Sequence, residues 1–126
     1  MGDWSTKPWG CDEAADWFHR FWTKGGIAVL IREFEEFDER QEKYDSIRAA
    51  SYLLQTLGIT FVWPVDHSDE LEPLLRKAIL ILKNMIDPPT DDWGYLEMCG
   101  NDPGAILAVK EQITALQDRL SDLTPH

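Results

Sequence analysis

The side chains that could do chemistry in this chain are few and scattered. The three histidines, His19, His67 and His126, share no ligand spacing, and the two cysteines, Cys11 and Cys99, form no C-x-x-C. There is no G-x-S-x-G, no phosphate-binding glycine loop and no H-E-x-x-H. Asp66, His67 and Asp69 come nearest to a ligand set. Three ligands so close in sequence are awkward for one ion, and the same residues read as solvated caps before a helix. No catalytic residue, metal or cofactor is therefore assigned. Cys11 and Cys99 each precede an expected helix start, so they could be neighbours in space. The alternative is two small, partly buried thiols.

What remains is chemistry of recognition. The formal net charge is −11. Phosphate backbones and anionic membranes repel such a surface, whereas a basic protein is attracted and steered. No Lys or Arg occurs between Lys83 and Lys110, while Asp87, Asp91, Asp92, Glu97 and Asp102 do. Trp93 and Tyr95 follow the paired aspartates, and aromatic anchors beside steering charge have the composition of an interface. The other reading is a solvated loop whose tryptophan folds back onto the core. Trp4 and Trp9 bracket Ser5-Thr6-Lys7-Pro8. They either offer exposed rings to a ligand or close one end of a bundle. Partner-binding candidates are thus Trp4, Trp9, Asp87, Asp91, Asp92, Trp93 and Tyr95. A rival arrangement is a small-molecule pocket or enzyme site lined by Trp4, Trp9, Trp63 and Trp93.

These residues need helices to position them. At 126 residues and 44% hydrophobic content, the chain can bury one real core and is not disordered, so residues 1–126 read as a single all-α domain. A first helix begins near Asp12 as N-cap and stops at Gly25-Gly26, with Ala14, Trp17, Phe18, Phe21 and Trp22 on one face. A second runs from about Ile27 to about Gln41. Its inner face is Ile27, Leu30, Ile31, Phe34 and Phe37, and its outer face is rich in glutamate. A third spans about Ser46 to Leu57, with Asp45 or Ser46 as its cap and Gly58 as its stop, and its Ala49-Ala50-Ser51 would let a neighbour come close. A fourth covers about Ser68 to Ile86, with Pro73 in its first turn and Pro88-Pro89 after its end. A fifth starts at Asp102-Pro103 and carries Ile106, Val109, Ile113, Leu116, Leu120 and Leu123, a heptad-like stripe that could pair two chains. The expected fold is an irregular bundle of about five helices.

Two segments lie outside that pattern. Residues 59–65 are β-branched and aromatic and read as an extended connector, since no second strand exists to pair with them. An exposed edge that recruits a partner is the alternative reading. Residues 87–101 read as a loop. The longest apolar run, Ala78 to Leu82, is too short to span a bilayer, and no signal peptide is visible, so a cytoplasmic location is expected.

Three of the six tryptophans fall in residues 3–18, and Met1, Gly2, Trp4, Trp9, Asp12, Ala14, Asp16 and Trp17 form a pattern ending in a helix start. This segment resembles a family of small bacterial proteins known only as a domain of unknown function. Its members open Met-Gly-x-Trp-Gly and continue to Asn-Asp-x-Ala-x-Asp-Trp. Ser5 stands where that family usually has Gly, and Cys11 where it has Asn. The resemblance implies a bacterial origin and a mostly helical fold, and it brings no activity. The function expected on all these grounds is a non-enzymatic protein-interaction module, inhibitor- or immunity-like, with homo-oligomerisation as a further option.

Overall fold

The computed structural model describes residues 6–123. Six helices account for the architecture, with no strand among the described residues. They are α1 (Asp12–Lys24), α2 (Ile27–Glu35), α3 (Tyr44–Leu57), α4 (Ser68–Ile86), α5 (Tyr95–Met98) and α6 (Pro103–Leu123). Single 3-10 turns at Glu39–Gln41 and Val65–His67 lead into α3 and α4. The all-α bundle expected from the periodicity is what forms. The sixth helix is α5, one turn inside the stretch read as a loop.

Helix α3 lies at the centre and packs against α1, α2, α4 and α6. Tyr44, Ser46, Ile47, Arg48, Ala49, Ala50, Ser51, Leu53 and Leu54 are all buried, so it is covered nearly all round. The small run Ala49-Ala50-Ser51 permits this, because helix axes approach closely only where side chains are short. Helix α1 runs parallel to α3. The Glu13 carboxylate accepts from Ser46 N–H at 2.7 Å and from Ser46 Oγ at 2.9 Å, and Phe21 and Leu57 line one concavity at the other end. Helix α6 also runs with α3, through Gln112 on Arg48 and Arg119 on Gln55. Helix α4 starts beside the end of α3, where Leu71 comes up to Gly58, and makes its most extensive contact with α6.

Local details depart from the sequence reading in physical ways. The N-cap of α1 is Cys11 rather than Asp12. Cys11 is extended (φ −153°, ψ 166°), and its Sγ accepts from Ala14 N–H at 3.4 Å. Helix α2 ends at Glu35, short of Gln41, and Glu42 takes a left-handed φ of 57° before α3 begins at Tyr44. The cap expected of Asp45 or Ser46 comes instead from Glu13 of α1. Pro73 stands in the second turn of α4 rather than the first, because the helix already begins at Ser68. Residues 59–65 are not extended. The Ile59 carbonyl accepts from both Val62 N–H and Trp63 N–H at 2.8 Å, which coils the connector into a tight turn. Asp102 caps α6 as expected, its Oδ2 accepting from Ala105 N–H at 2.8 Å.

The centre of the bundle makes two opposite expectations. Ser51 Oγ is buried with no hydrogen-bond partner among the described residues. Ser51→Ala should therefore hold stability constant or raise it by up to about 1 kcal/mol. A Cβ on Gly58 would meet the Leu54 carbonyl oxygen at 2.3 Å and Leu71 Cδ1 at 3.2 Å. Gly58→Ala should lower stability by about 1–3 kcal/mol, both changes being read by urea denaturation.

Candidate functional site

The parallel and antiparallel runs give the bundle two unlike ends. One end collects the starts of α1, α3 and α6 with α5. The other collects the ends of α1 and α3 and the start of α4.

At the second end the backbone reverses twice, and each reversal throws apolar side chains outward. Gly25 and Gly26 take φ of 128° and 57°, values that L side chains rarely adopt, and turn α1 into α2 within two residues. Trp22, just before this reversal, is 76% exposed, although the helical spacing placed it on the inner face. Phe21 supports it edge-on, with ring centroids 5.1 Å apart. After α3, the turn built on the Ile59 carbonyl sends Trp63 inward. Trp63 Nε1 donates to the His67 carbonyl at 2.7 Å. The same turn leaves Phe61 97% exposed, and Val65 in the following 3-10 turn is 85% exposed. Between the two reversals lies a shallow concavity of about 460 Å³, lined by Phe21, Trp22, Ile27, Leu57, Val62 and Pro64 with the two glycines. Trp22 and Val62 share this concavity, and Phe61 and Val65 stand exposed on either side of Val62 in the same connector, an apolar grouping of the kind that marks a contact surface.

At the first end the arrangement is inverted. Asp87, Asp91 and Asp92 are exposed, and the aromatic residues beside them turn inward. Trp93 is half-buried against Phe37 and Tyr44, at 5.7 and 6.4 Å between ring centroids. Gly94 N–H donates to the Tyr44 hydroxyl at 2.9 Å, and that hydroxyl donates to the Glu39 carbonyl. Tyr95 is only 2% exposed and is thereby removed from the surface on which it was a candidate anchor. Trp9 is partly exposed, edge-on to Tyr52 at 4.9 Å. Trp4 lies outside the described residues.

Trp63 and Trp93, two of the four rings expected to line one pocket, lie apart. Trp63 follows the end of α3 and Trp93 packs at its start, and 14 residues of helix separate them by roughly 20 Å. Cys11 and Cys99, in contrast, do line one cavity. His67 Nδ1 lies 2.8 Å from Glu70 Oε1. Among the described residues no group of three or more His, Cys, Asp and Glu side chains could hold a metal ion. Nor is any described helix long and apolar enough to cross a membrane.

A third concavity, about 590 Å³, runs between α1 and α2 and gathers Arg20, Lys24, Arg32 and Lys43 around Glu33, Glu36 and Asp38. Glu33 Oε1 accepts from Trp17 Nε1 at 2.7 Å and lies 3.6 Å from Arg20, so its carboxylate is held to the fold.

Sequence reasoning raised exposure of residues 59–65 only as a strand edge, did not single out Phe61 or Val65, and placed Trp22 on the inner face. The signal available was the run Ile59–Val65, apolar and without a second strand to cover it. Comparison with family models, with curated proteins and with solved structures returns no match, so the functional reading rests on the residues of this chain.

Burial pushes the Tyr95 phenol up to about 12 from its ordinary 10.0, with the nearby Arg48 guanidinium opposing the shift. Burial likewise raises Tyr44. The folded value of Tyr95 thus exceeds the unfolded one. Its contribution is fully present below pH 10 and is lost as pH rises through about 12. Urea unfolding of a Tyr95→Phe variant should show a shallower loss of stability over that window than the native chain.

Proposed function

We propose that this chain is a non-enzymatic protein-interaction module that seats a basic partner protein on the apolar end formed by Trp22, Phe61, Val62 and Val65. The observation that carries the reading is the exposure, at the two chain reversals, of these four large apolar side chains, two of which, Trp22 and Val62, wall the same concavity. Each Phe or Val side chain that a partner covers gains about 1.5–3 kcal/mol relative to remaining in water. Hot spots of this kind are dominated by a few aromatic residues in a desolvated centre, and Trp22 and Phe61 fit that role.

Charge identifies the partner's chemistry. A second copy of this chain would bring −11 against −11. A basic partner is favoured instead, and steering by the net charge raises its association rate. The exposed Asp87, Asp91 and Asp92 contribute to this field from the far end of the bundle. In this reading they supply rate, and the apolar end supplies affinity. A protein that covers a basic surface in this way acts as an inhibitor or immunity protein does, by occlusion.

Phe61→Ser combined with Val65→Asp changes exposed positions and should alter stability by no more than about 0.5 kcal/mol. In affinity capture from native lysate, the native chain should retain a stoichiometric basic protein that this double variant loses. Asp91→Lys with Asp92→Lys should slow binding of that protein, more at low salt than at high salt, without abolishing it. Equal capture by the apolar-end variant, or no partner at either salt, overturns the reading. So does a sizing-column mass above 14.5 kDa that the variant restores to 14.5 kDa, because a second copy then covers the surface.

A further inference from the structure

The first end of the bundle holds a cavity that the interaction reading does not use. It measures about 600 Å³ and opens where residues 6–8 cross α3, α5 and the start of α6. Arg48, Tyr95, Asp45, Lys7, Met98 and Cys99 are among its walls.

Arg48 is the unusual member, since it is only 5% exposed. Placing a guanidinium in a protein interior costs several kcal/mol unless it is compensated. The hydrogen bonds that fix this one end on neutral oxygens. Arg48 Nε donates to Gln112 Oε1 at 2.6 Å, and Nη2 donates to the Thr6 carbonyl at 2.9 Å. Gln112 Nε2 returns a bond to the Arg48 carbonyl at 3.0 Å. These contacts set the plane of the guanidinium, and the Asp45 and Asp102 carboxylates stand on the same wall. An arginine serving only to tie residue 6 to α6 would need packed atoms around it, whereas here it borders a cavity large enough for a small molecule. The Tyr95 phenol beside Arg48 is kept protonated, so it can donate. Pro8 and the partly exposed Met98 offer apolar contact.

We infer that this cavity binds a small organic carboxylate of about amino-acid size, its anion on the Arg48 guanidinium and its apolar part against Met98 and Pro8. Guanidinium recognises carboxylate and phosphate alike. The wall decides between them. Asp45 and Asp102 stand on it, and Asp102 Oδ2 is committed to the cap of α6. Lys7 and Arg48 are set against these two carboxylates, so the wall carries no excess positive charge for a dianion, and a singly charged carboxylate is favoured over a doubly charged phosphate. This inference is independent of the apolar end, which lies at the other end of α3.

The test is a titration of the ¹⁵N-labelled full chain with butyrate, with inorganic phosphate and butylammonium chloride as separate arms at matched ionic strength. Butyrate should give saturable shifts at Arg48 Nε–H and at the Tyr95, Cys99 and Ala105 amides, and should raise Tm with concentration. Butylammonium should give none, and phosphate should bind at least tenfold more weakly. Arg48→Met should weaken butyrate by about tenfold or more. Should that buried change unfold the chain, Met98→Trp decides. It alters an exposed side chain at the cavity wall and should abolish the butyrate shifts while leaving the rest of the spectrum native. Non-saturable shifts, shifts unchanged in Met98→Trp, or an equal response to phosphate would overturn the inference.

Discussion

The enclosure of α3 is the constraint on which the rest of the structure depends. A helix covered on nearly every side must satisfy its polar groups from its neighbours, because water cannot reach them. Each neighbour answers for part of it. Glu13 of α1 caps its first turn through Ser46, Gln112 of α6 exchanges hydrogen bonds with Arg48, and the backbone of Gly94 reaches the Tyr44 hydroxyl. These bonds fix the axial register of α1 and α6 and the docking of the segment before α5. Apolar packing alone would tolerate a sliding helix. A glutamate that must find one serine, or a glutamine that must find one arginine, does not. Among the described residues, the Ser51 hydroxyl alone is a buried side-chain polar group without a partner, and it sits in the small-residue run that permits close approach.

The unlike ends follow from this. At the start of α3 the polar bonds draw the aromatic residues inward, and Phe37, Tyr44, Trp93 and Tyr95 close into one cluster beneath the exposed aspartates. At its finish the chain must reverse immediately after Leu57. Gly58 caps the helix through the Leu54 carbonyl, and the following turn has room to bury one ring, that of Trp63. Phe61 and Val65 are left outside because the turn that buries Trp63 points them the other way. The exposed apolar end is thus a consequence of how α3 terminates.

The parts legible in the sequence are those set by local rules. Helices α1, α4 and α6 were readable to within a residue or two, since their apolar period and their Gly, Pro and Asp signals act within a turn. What failed needed distant partners. The period continued through Trp22, but burial of that ring required a neighbour that the glycine reversal two residues after Thr23 takes away. The composition of residues 59–65 favours a strand, yet strand geometry stabilises only when a second strand accepts the hydrogen bonds. With none present, the backbone satisfied itself on the Ile59 carbonyl. The end of α2 was obscured because glutamates suit a helix surface and a solvated turn equally. Arg48 gave no signal at all. Its burial is decided by Gln112, in another helix, and an arginine among helical residues reads as surface.

The start of the chain shows how these constraints combine. Its tryptophans were read as either closing one end of the bundle or facing a ligand, and the described residues of the segment are held to the fold. Trp17 is fully buried and donates to Glu33, Trp9 packs edge-on against Tyr52 of α3, and the Thr6 carbonyl accepts from Arg48. A hydrogen bond from a charged donor is worth about 1.5–3 kcal/mol, enough to hold a short segment against its conformational entropy over one or two residues. The same arginine therefore tethers residue 6 and borders the cavity that residues 6–8 wall. An anion arriving on Arg48 would compete with the Thr6 carbonyl for the guanidinium, so ligand affinity and the hold on the N-terminal segment are thermodynamically linked, each weakening the other by the same factor.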